Sequence, residues 1–415
     1  MRFLYNLLIR LFGLGVLLVS PFNMKARKWT TGRKDILAKI KSDIKETDRV
    51  IWFHCASLGE FEQGRPVIEK VRSKFKSYKI ILTFFSPSGY DIRRDYKGVD
   101  FVYYLPNDTS FNAKQFVKLV HPRIVFFVKY EFWFNYINEL YKNKIPIIIV
   151  SAIFRRGQYF FKPWGGWGRR QLQKVTFFFV QNEKSLALLR LAKIYHAEIS
   201  GDTRFDRVVK LTQEKNSFPV IERFKNNKPI FIAGSTWPVD EDLLLEVLNR
   251  TKENFKIIIA PHIVNKEHIN QLINKFSDYQ PVCFSDDKND QLKQSRVMII
   301  DSIGKLSKIY QYGILAYIGG GFGVGIHNTL EAATYGIPVI FGPNYLRFHE
   351  AVELKELGCA FPVQNANDCS KVVNLMLTDE TKYAACASSA REYVIQNAGA
   401  TDKVIEKAGE YLSIK

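Results

Sequence analysis

The sequence predicts a two-domain α/β protein in which each domain is built on a doubly wound parallel sheet. Three observations carry that expectation. Short runs rich in Val, Ile and Phe alternate with helical patterns over about residues 45–205, and near-continuous apolar strands of this kind belong to parallel sheets covered on both faces. The alternation lapses in the polar stretch "RVVKLTQEKNSFPVIERFKNNK" and then restarts. Finally, 415 residues is more than one ordinary hydrophobic core organises.

The elements follow in order. "FLYNLLIRLFGLGVLLVSPF" is apolar apart from Asn6 and Arg10, and no small-residue cleavage site follows it. Its length is near the lower limit for a membrane span. The cations Lys25, Arg27, Lys28, Arg33 and Lys34 come next, and a basic flank holds that side in the cytoplasm. The segment reads either as a single span or as an amphipathic surface helix with Arg2 and Arg10 reaching the headgroups. "RVIWFHCAS", "KIILTFFS", "DFVYYLP", "RIVFFVK", "IPIIIVSA" and "VTFFFVQ" then read as strands, with "EFEQGRPVIEKVRSKF", "TSFNAKQFVKLV", "EFWFNYINELYKN" and "NEKSLALLRLAK" as helices between them. After the polar stretch, "PIFIAGST", "FKIIIAP", "RVMIID", "GILAYIGG" and "PVIFG" restart the pattern. The expected organisation is an anchor helix over 1–22, a first domain over 23–206, a linker over 207–227 and a second domain over 228–415. Two such domains face a cleft, a favoured place for ligands.

Composition narrows the partner. With 47% hydrophobic and 24% charged residues the chain is globular. A net charge of +19 favours an anionic partner: nucleic acid, a membrane surface or a phosphorylated substrate. Five scattered cysteines form no CxxC pair, so they indicate neither a metal site nor a disulfide framework.

Candidate chemistry gathers at strand ends. In "HCASLGEFEQG", Glu60 stands at a strand-to-helix junction. Ser57 to Glu60 fits a capping box; alternatively the carboxylate lies where open α/β sheets bind substrates. "AYIGGGFGVGIHNTLEAATYGIPVIFGPN" places five glycines between a strand and a helix starting near Asn328. Glycines admit a ligand close to the backbone, and helix amides attract phosphate. The spacing is neither the dinucleotide fingerprint nor a P-loop. Pro261-His262 and Ser302-Ile303-Gly304 end two further strands. Asp240-Glu241-Asp242 reads as an acidic first helical turn rather than a metal motif. "RRGQYFFKPWGGWGRRQLQK" mixes cations and aromatics in a way that suits RNA stacking, an anionic membrane surface or packing within its own domain.

The motifs "SLGE", "TFFSPSGY", "YLPND", "EFWFN", "QNEKS", "GDTRFDR", "GSTW", "DSIGKLSKIY" and "GGGFGVGIHNTLEAATYGIPVIFGP" occur in an order that resembles the 3-deoxy-D-manno-octulosonic acid (Kdo) transferases, from the N-terminal anchor to about residue 350. That resemblance implies a GT-B fold and an inner-membrane enzyme with its catalytic domains on the cytoplasmic side. It implies transfer of Kdo from CMP-Kdo to the lipid A precursor lipid IV(A), inverting, without metal or other cofactor and without nucleic acid. The first domain would bind the acceptor and the second CMP-Kdo. Glu60 would be the general base and Glu131 a possible second acid. Pro261, His262, Ser302, Ile303, Gly304, Asn328, Thr329, Leu330 and Glu331 would contact CMP-Kdo, with the amides at 328–330 on the phosphate and Glu331 on the ribose.

The chain also departs from the family pattern. Pro261-His262-Ile263 stands where many members have Pro-Arg-His, Ile153 where an arginine is usual, Lys129 in place of an acid, and Phe134 in place of proline. The alternatives are a membrane-associated GT-B transferase using a UDP-sugar, or a non-enzymatic membrane-tethered nucleotide- or RNA-binding protein.

Overall fold

The computed structural model describes residues 1–412 apart from 215, 252, 253 and 289. The chain folds as two units, Met1–Arg207 with Ala398–Lys415, and Val208–Asn397.

The first unit carries β1 (Val50–Cys55), β2 (Lys79–Phe84), β3 (Phe101–Tyr104), β4 (Ile124–Val128), β5 (Ile147–Ala152), β6 (Phe177–Val180) and β7 (Ala197–Ile199). They form one sheet in the order β3-β2-β1-β4-β5-β6-β7, every pair parallel. All six residues of β1 are buried, as the unbroken apolar runs require of a sheet sandwiched by helices. Two apolar clusters lie on its two faces. One gathers Trp52, Phe116, Phe127 and Tyr136, the other Phe53, Phe61, Phe84 and Phe126.

The second unit carries β8 (Ile230–Thr236), β9 (Lys256–Pro261), β10 (Val282–Cys283), β11 (Val297–Ile299), β12 (Leu315–Ile318), β13 (Val339–Phe341) and β14 (Ala360–Pro362). Their order is β10-β11-β9-β8-β12-β13-β14, again parallel throughout. In the first sheet the chain winds outward to β3 and then returns to the other side; in the second it reaches the edge at β10, steps back to β11 and then crosses to β12. The reversal falls between β1 and β4 in the first unit and between β8 and β12 in the second. Ligands of open α/β sheets bind at such points, outside the carboxyl ends of the strands.

Two boundaries differ from the sequence expectation. The stretch 207–227 is not a plain linker: it contains the rest of the helix Arg204–Gln213 and the helix Pro219–Lys225, whose Val220, Ile221 and Phe224 are buried. The chain after residue 397 does not stay with the second unit. The last helix, Ala400–Leu412, packs Val404, Ile405, Ala408 and Leu412 into the first unit's core. Asp206 holds its start, accepting from the amides of Gly399 and Thr401 and the Thr401 hydroxyl. At its other end the Tyr78 hydroxyl donates to the Leu412 carbonyl. Periodicity alone shows that this segment has an apolar face, not which sheet receives it.

Candidate functional site

At the reversal point of the first sheet, β1 ends in Cys55 and the helix Leu58–Lys74 begins. Half of the expected capping box is present. Ser57 makes no side-chain cap, but the Glu60 carboxylate turns back and accepts from the Ala56 amide. Glu60 is buried at 7% exposure. Desolvation, and then the charge of Glu131, push its carboxyl up to about 8, against the opposing pull of the Ala56 amide and Lys129. A carboxylic acid tuned to that range exchanges its proton near neutral pH.

Glu131 lies across the reversal point, between β4 and the helix Phe134–Lys142. Its Oε2 accepts from the Trp133 indole at 2.7 Å and stands 3.5 Å from His54 Nε2. The same indole reaches His54 Nε2 at 3.0 Å, which makes that nitrogen an acceptor and leaves the ring proton on Nδ1. Nδ1 meets Thr83 Oγ1 at 2.9 Å, and Thr83 also accepts from the Trp52 indole at 2.8 Å. A polar chain, buried at His54 and Thr83, thus runs from β2 through β1 to Glu131. Lys129, on the turn between β4 and Glu131, has φ of 69°, a left-handed conformation that is rare outside glycine and concentrates at functional sites.

The second site occupies the reversal point of the other sheet. The Trp237 ring stacks on His262 (centroids 4.6 Å apart, 22° between planes), and His262 stacks on His327 (4.6 Å, 27°). Burial holds both imidazoles below the ordinary histidine range, with the His262 charge adding to the effect at His327. Asp240, 1% exposed, ties the site together. It accepts from the Trp237 amide at 2.9 Å, the Gly320 amide at 2.9 Å and the Tyr317 hydroxyl at 2.6 Å. Glu241 is buried against His268 at 2.9 Å and the Thr236 hydroxyl at 3.1 Å. From the first turn of their helix, Asp240 and Glu241 thus brace this end of the sheet. A cavity of about 320 Å³ opens beside it, lined by Trp237, Val239, Asp240, Gly320, Phe322 and Val324 among others.

The glycine loop needs its composition at Gly319, where a Cβ would lie 2.2 Å from the Ser235 carbonyl oxygen. Strands β8 and β12 can leave the sheet side by side only because that atom is missing.

The remaining residues singled out from the sequence sit on the same carboxyl edge of this sheet. Pro261 ends β9 and His262 follows it. Ser302, Ile303 and Gly304 follow β11; the Ser302 hydroxyl is buried without a partner, Ile303 is 83% exposed, and Gly304 has φ of 84°. The expectation for 328–330 needs correction. The helix there is the single turn Leu330–Ala333. The Leu330 amide is taken by Asn328 Oδ1 at 3.1 Å and the Leu330 side chain is core. Thr329 is fully buried, its hydroxyl unpartnered. Glu331 is half-buried; burial raises the Tyr310 and Tyr335 phenols, and the Glu331 charge adds to both.

Sequence reasoning did not single out His54, Thr83, Trp133, Trp237 or His327. Each lies inside or beside a quoted motif, and the available signal was a polar or indole group at a strand end. Among the described residues no cluster of three metal-ligating side chains occurs. The basic aromatic stretch is partly folded inward: Trp167 packs on Tyr5 and Phe134, and Arg169 binds the carbonyls of Phe160 and Lys162, while Trp164 is 69% exposed.

Residues 31–207 match the family model described as 3-deoxy-D-manno-octulosonic-acid transferase (kdotransferase). The chain is 24% identical over 375 residues to the 3-deoxy-D-manno-octulosonic acid transferase of Haemophilus influenzae, 87% of each chain being covered. To the transferase of the same name from Chlamydophila psittaci it is 24% identical, over 90% of this chain and 87% of that one. A bifunctional glycosyltransferase/methyltransferase of Fusobacterium nucleatum is 27% identical over 89% of this chain, which spans 58% of that protein. Among solved structures, the UDP-GlcNAc 2-epimerase of Neisseria meningitidis matches with a TM-score of 0.61 at 16% identity, covering 87% of this chain and all of that one. A glycosyltransferase from Rickettsia africae matches at 0.56 and 13% identity, covering 89% and 100%. The architecture is GT-B-like, as expected.

Proposed function

We propose, for a chain 24% identical to a 3-deoxy-D-manno-octulosonic acid transferase over 90% of its length, that it transfers Kdo from CMP-Kdo to the lipid A precursor lipid IV(A) with inversion at the anomeric carbon. The observation that carries this reading is Glu60: a buried carboxylate at the reversal point, pushed up to about 8 by burial and by Glu131. In this mechanism the ionised Glu60 removes the proton from an acceptor hydroxyl as that oxygen attacks the Kdo anomeric carbon. The bond to the CMP phosphate breaks in the same displacement and CMP departs with its electron pair. General-base help of this kind contributes about 10²–10⁴ in rate. The leaving group is a monophosphate ester of low basicity, so the reaction proceeds without a metal. Glu131, held by Trp133, raises the basicity of the Glu60 carboxylate, so that once ionised it takes up the acceptor proton near neutral pH.

The donor lies in the second unit, the cytosine against the exposed edge of the Trp237–His262–His327 stack. Pro261, His262, Ser302, Ile303, Gly304, Asn328 and Thr329 bound its phosphate and sugar, the backbone of Leu330 closes the turn, and Glu331 meets the ribose. The chain works at the cytoplasmic face of the inner membrane, where its acceptor resides.

The test is transfer from CMP-Kdo, generated in situ, to tetraacylated lipid A precursor, with EDTA present and products read by mass. Wild type adds Kdo and Glu60→Gln does not. If wild type gives no product while CMP still raises its melting temperature, the donor stands and the acceptor is wrong. Protection by UDP but not CMP overturns the donor as well.

A further inference from the structure

The N-terminal helix, Arg2–Val19, is long and apolar enough to cross a membrane. Its contacts follow a different logic. Tyr5, Asn6, Ile9, Gly13, Val16 and Ser20 are half-buried, and every other residue from Met1 to Val19 is exposed. That 3–4 spacing marks one continuous helical face.

This face is fastened to the first unit along its length by polar groups. The Tyr5 hydroxyl donates to Asp108, and its ring packs on Phe134. Asn135 Nδ2 donates to Asn6 Oδ1 at 2.8 Å, and Asn107 Nδ2 to the Ile9 carbonyl at 3.2 Å. Gly13 lets the helix approach, since a Cβ there would meet Asn107 Nδ2 at 2.9 Å. Phe12 reaches Trp29 and Phe85. The body surface beneath the helix is thus rich in amide and carboxylate groups, which lipid tails do not solvate.

The same period puts Leu4, Leu7, Leu11, Leu14 and Leu18 on the opposite side, all exposed. Phe22 continues this surface at 92% exposure. The first 34 residues hold seven lysines and arginines and no acid, and Arg2, Arg10, Lys25, Arg27 and Lys34 are exposed. Leucines bordered by cations match the surface of an anionic bilayer, in which an amphipathic helix rests at the boundary between headgroups and acyl chains.

We infer that the N-terminal helix lies in the plane of an anionic lipid surface, its leucine face in the acyl boundary and its other face kept on the first unit, and does not cross the bilayer. This goes beyond the assigned transfer reaction and is independent of it: an inactive chain with this topology would leave the inference standing and sink the reaction.

The deciding experiment uses inverted inner-membrane vesicles from cells expressing the full chain with a short N-terminal epitope. External protease is expected to remove the epitope together with the body, because both are on one side. An epitope protected in sealed vesicles while the body is digested overturns the inference. The second arm is flotation of purified protein on phosphatidylcholine vesicles with and without phosphatidylglycerol. Binding is expected to require phosphatidylglycerol and to fall at least about tenfold in a Leu7→Asp, Leu11→Asp variant, with an unchanged melting temperature because both side chains are exposed. Equal binding by the variant overturns it. So does light scattering that shows a dimer dissolved by the same substitutions in a chain that does not float, since the face would then belong to a second copy.

Discussion

The Trp133 indole donates to Glu131 Oε2 at 2.7 Å although only one residue separates the two in sequence. The chain must fold tightly between β4 and the next helix to allow this, and the turn places the carboxylate beside His54 while its charge is felt at Glu60. Trp133→Phe keeps the ring packing on Phe85, whose centroid lies 4.7 Å away, and removes the shared donor. The expected result is a fall in kcat of about tenfold with KM for the donor unchanged, together with a shift in the pH-rate profile as Glu131 moves. An unchanged profile would make Trp133 packing alone.

Glu60 links activity and stability with opposite signs. Its carboxyl is held above its ordinary value by burial and by Glu131, so the folded chain binds this proton more tightly than the unfolded one. From about pH 4.5 to about pH 8 the unfolded state therefore carries fewer protons at this position, and stability falls as pH rises. Glu60→Gln abolishes that slope. Urea denaturation above pH 8 should find the variant more stable than wild type by roughly 1–3 kcal/mol, while kcat/KM of the wild type climbs to a plateau near the same pH.

Asp240 receives three donors in a buried position. Asp240→Ala leaves the Trp237 amide, the Gly320 amide and the Tyr317 hydroxyl without their acceptor. The expected loss is about 2–4 kcal/mol by chemical denaturation. CMP protection against heat should fall too, since the glycine loop and the Trp237 stack share this anchor.

Gly319→Ala is expected to cost more than its single methyl suggests. The added carbon would sit 2.2 Å from a backbone oxygen of Ser235, and Ser235 is already in the left-handed region at φ of 55°. A melting temperature lowered by several degrees, with loss of CMP protection, checks this.

The strands read from the sequence are those with unbroken apolar runs, down to the three-residue β11 and β13, which are fully buried. The three that escaped reading, β7, β10 and β14, are two or three residues long and sit at sheet edges. There a strand needs neither length nor an apolar run on both faces. The strand-to-helix junction at Glu60 and the end of β9 at His262 were legible because chemistry-bearing residues interrupt an apolar pattern. His54 was not: a histidine inside a buried strand looks like core until Trp133 and Thr83 are seen around it. The turn before Leu330 misled for a different reason. An Asn-Thr pair ahead of an acid indicates a helix starting near Asn328, and the structure has the single turn Leu330–Ala333.

The return of Ala400–Leu412 to the first unit has a consequence for biosynthesis. The second unit, Val208–Asn397, is an insertion within the first. A ribosome releases the N-terminus first, so the first sheet emerges without the helix that joins Ile80, Leu82 and Tyr78 on one of its faces. That apolar patch stays open while the whole inserted unit is synthesised, and it closes only when the helix Ala400–Leu412 has left the exit tunnel. Nascent chains arrested near residue 207 should therefore engage chaperones that full-length chains no longer need.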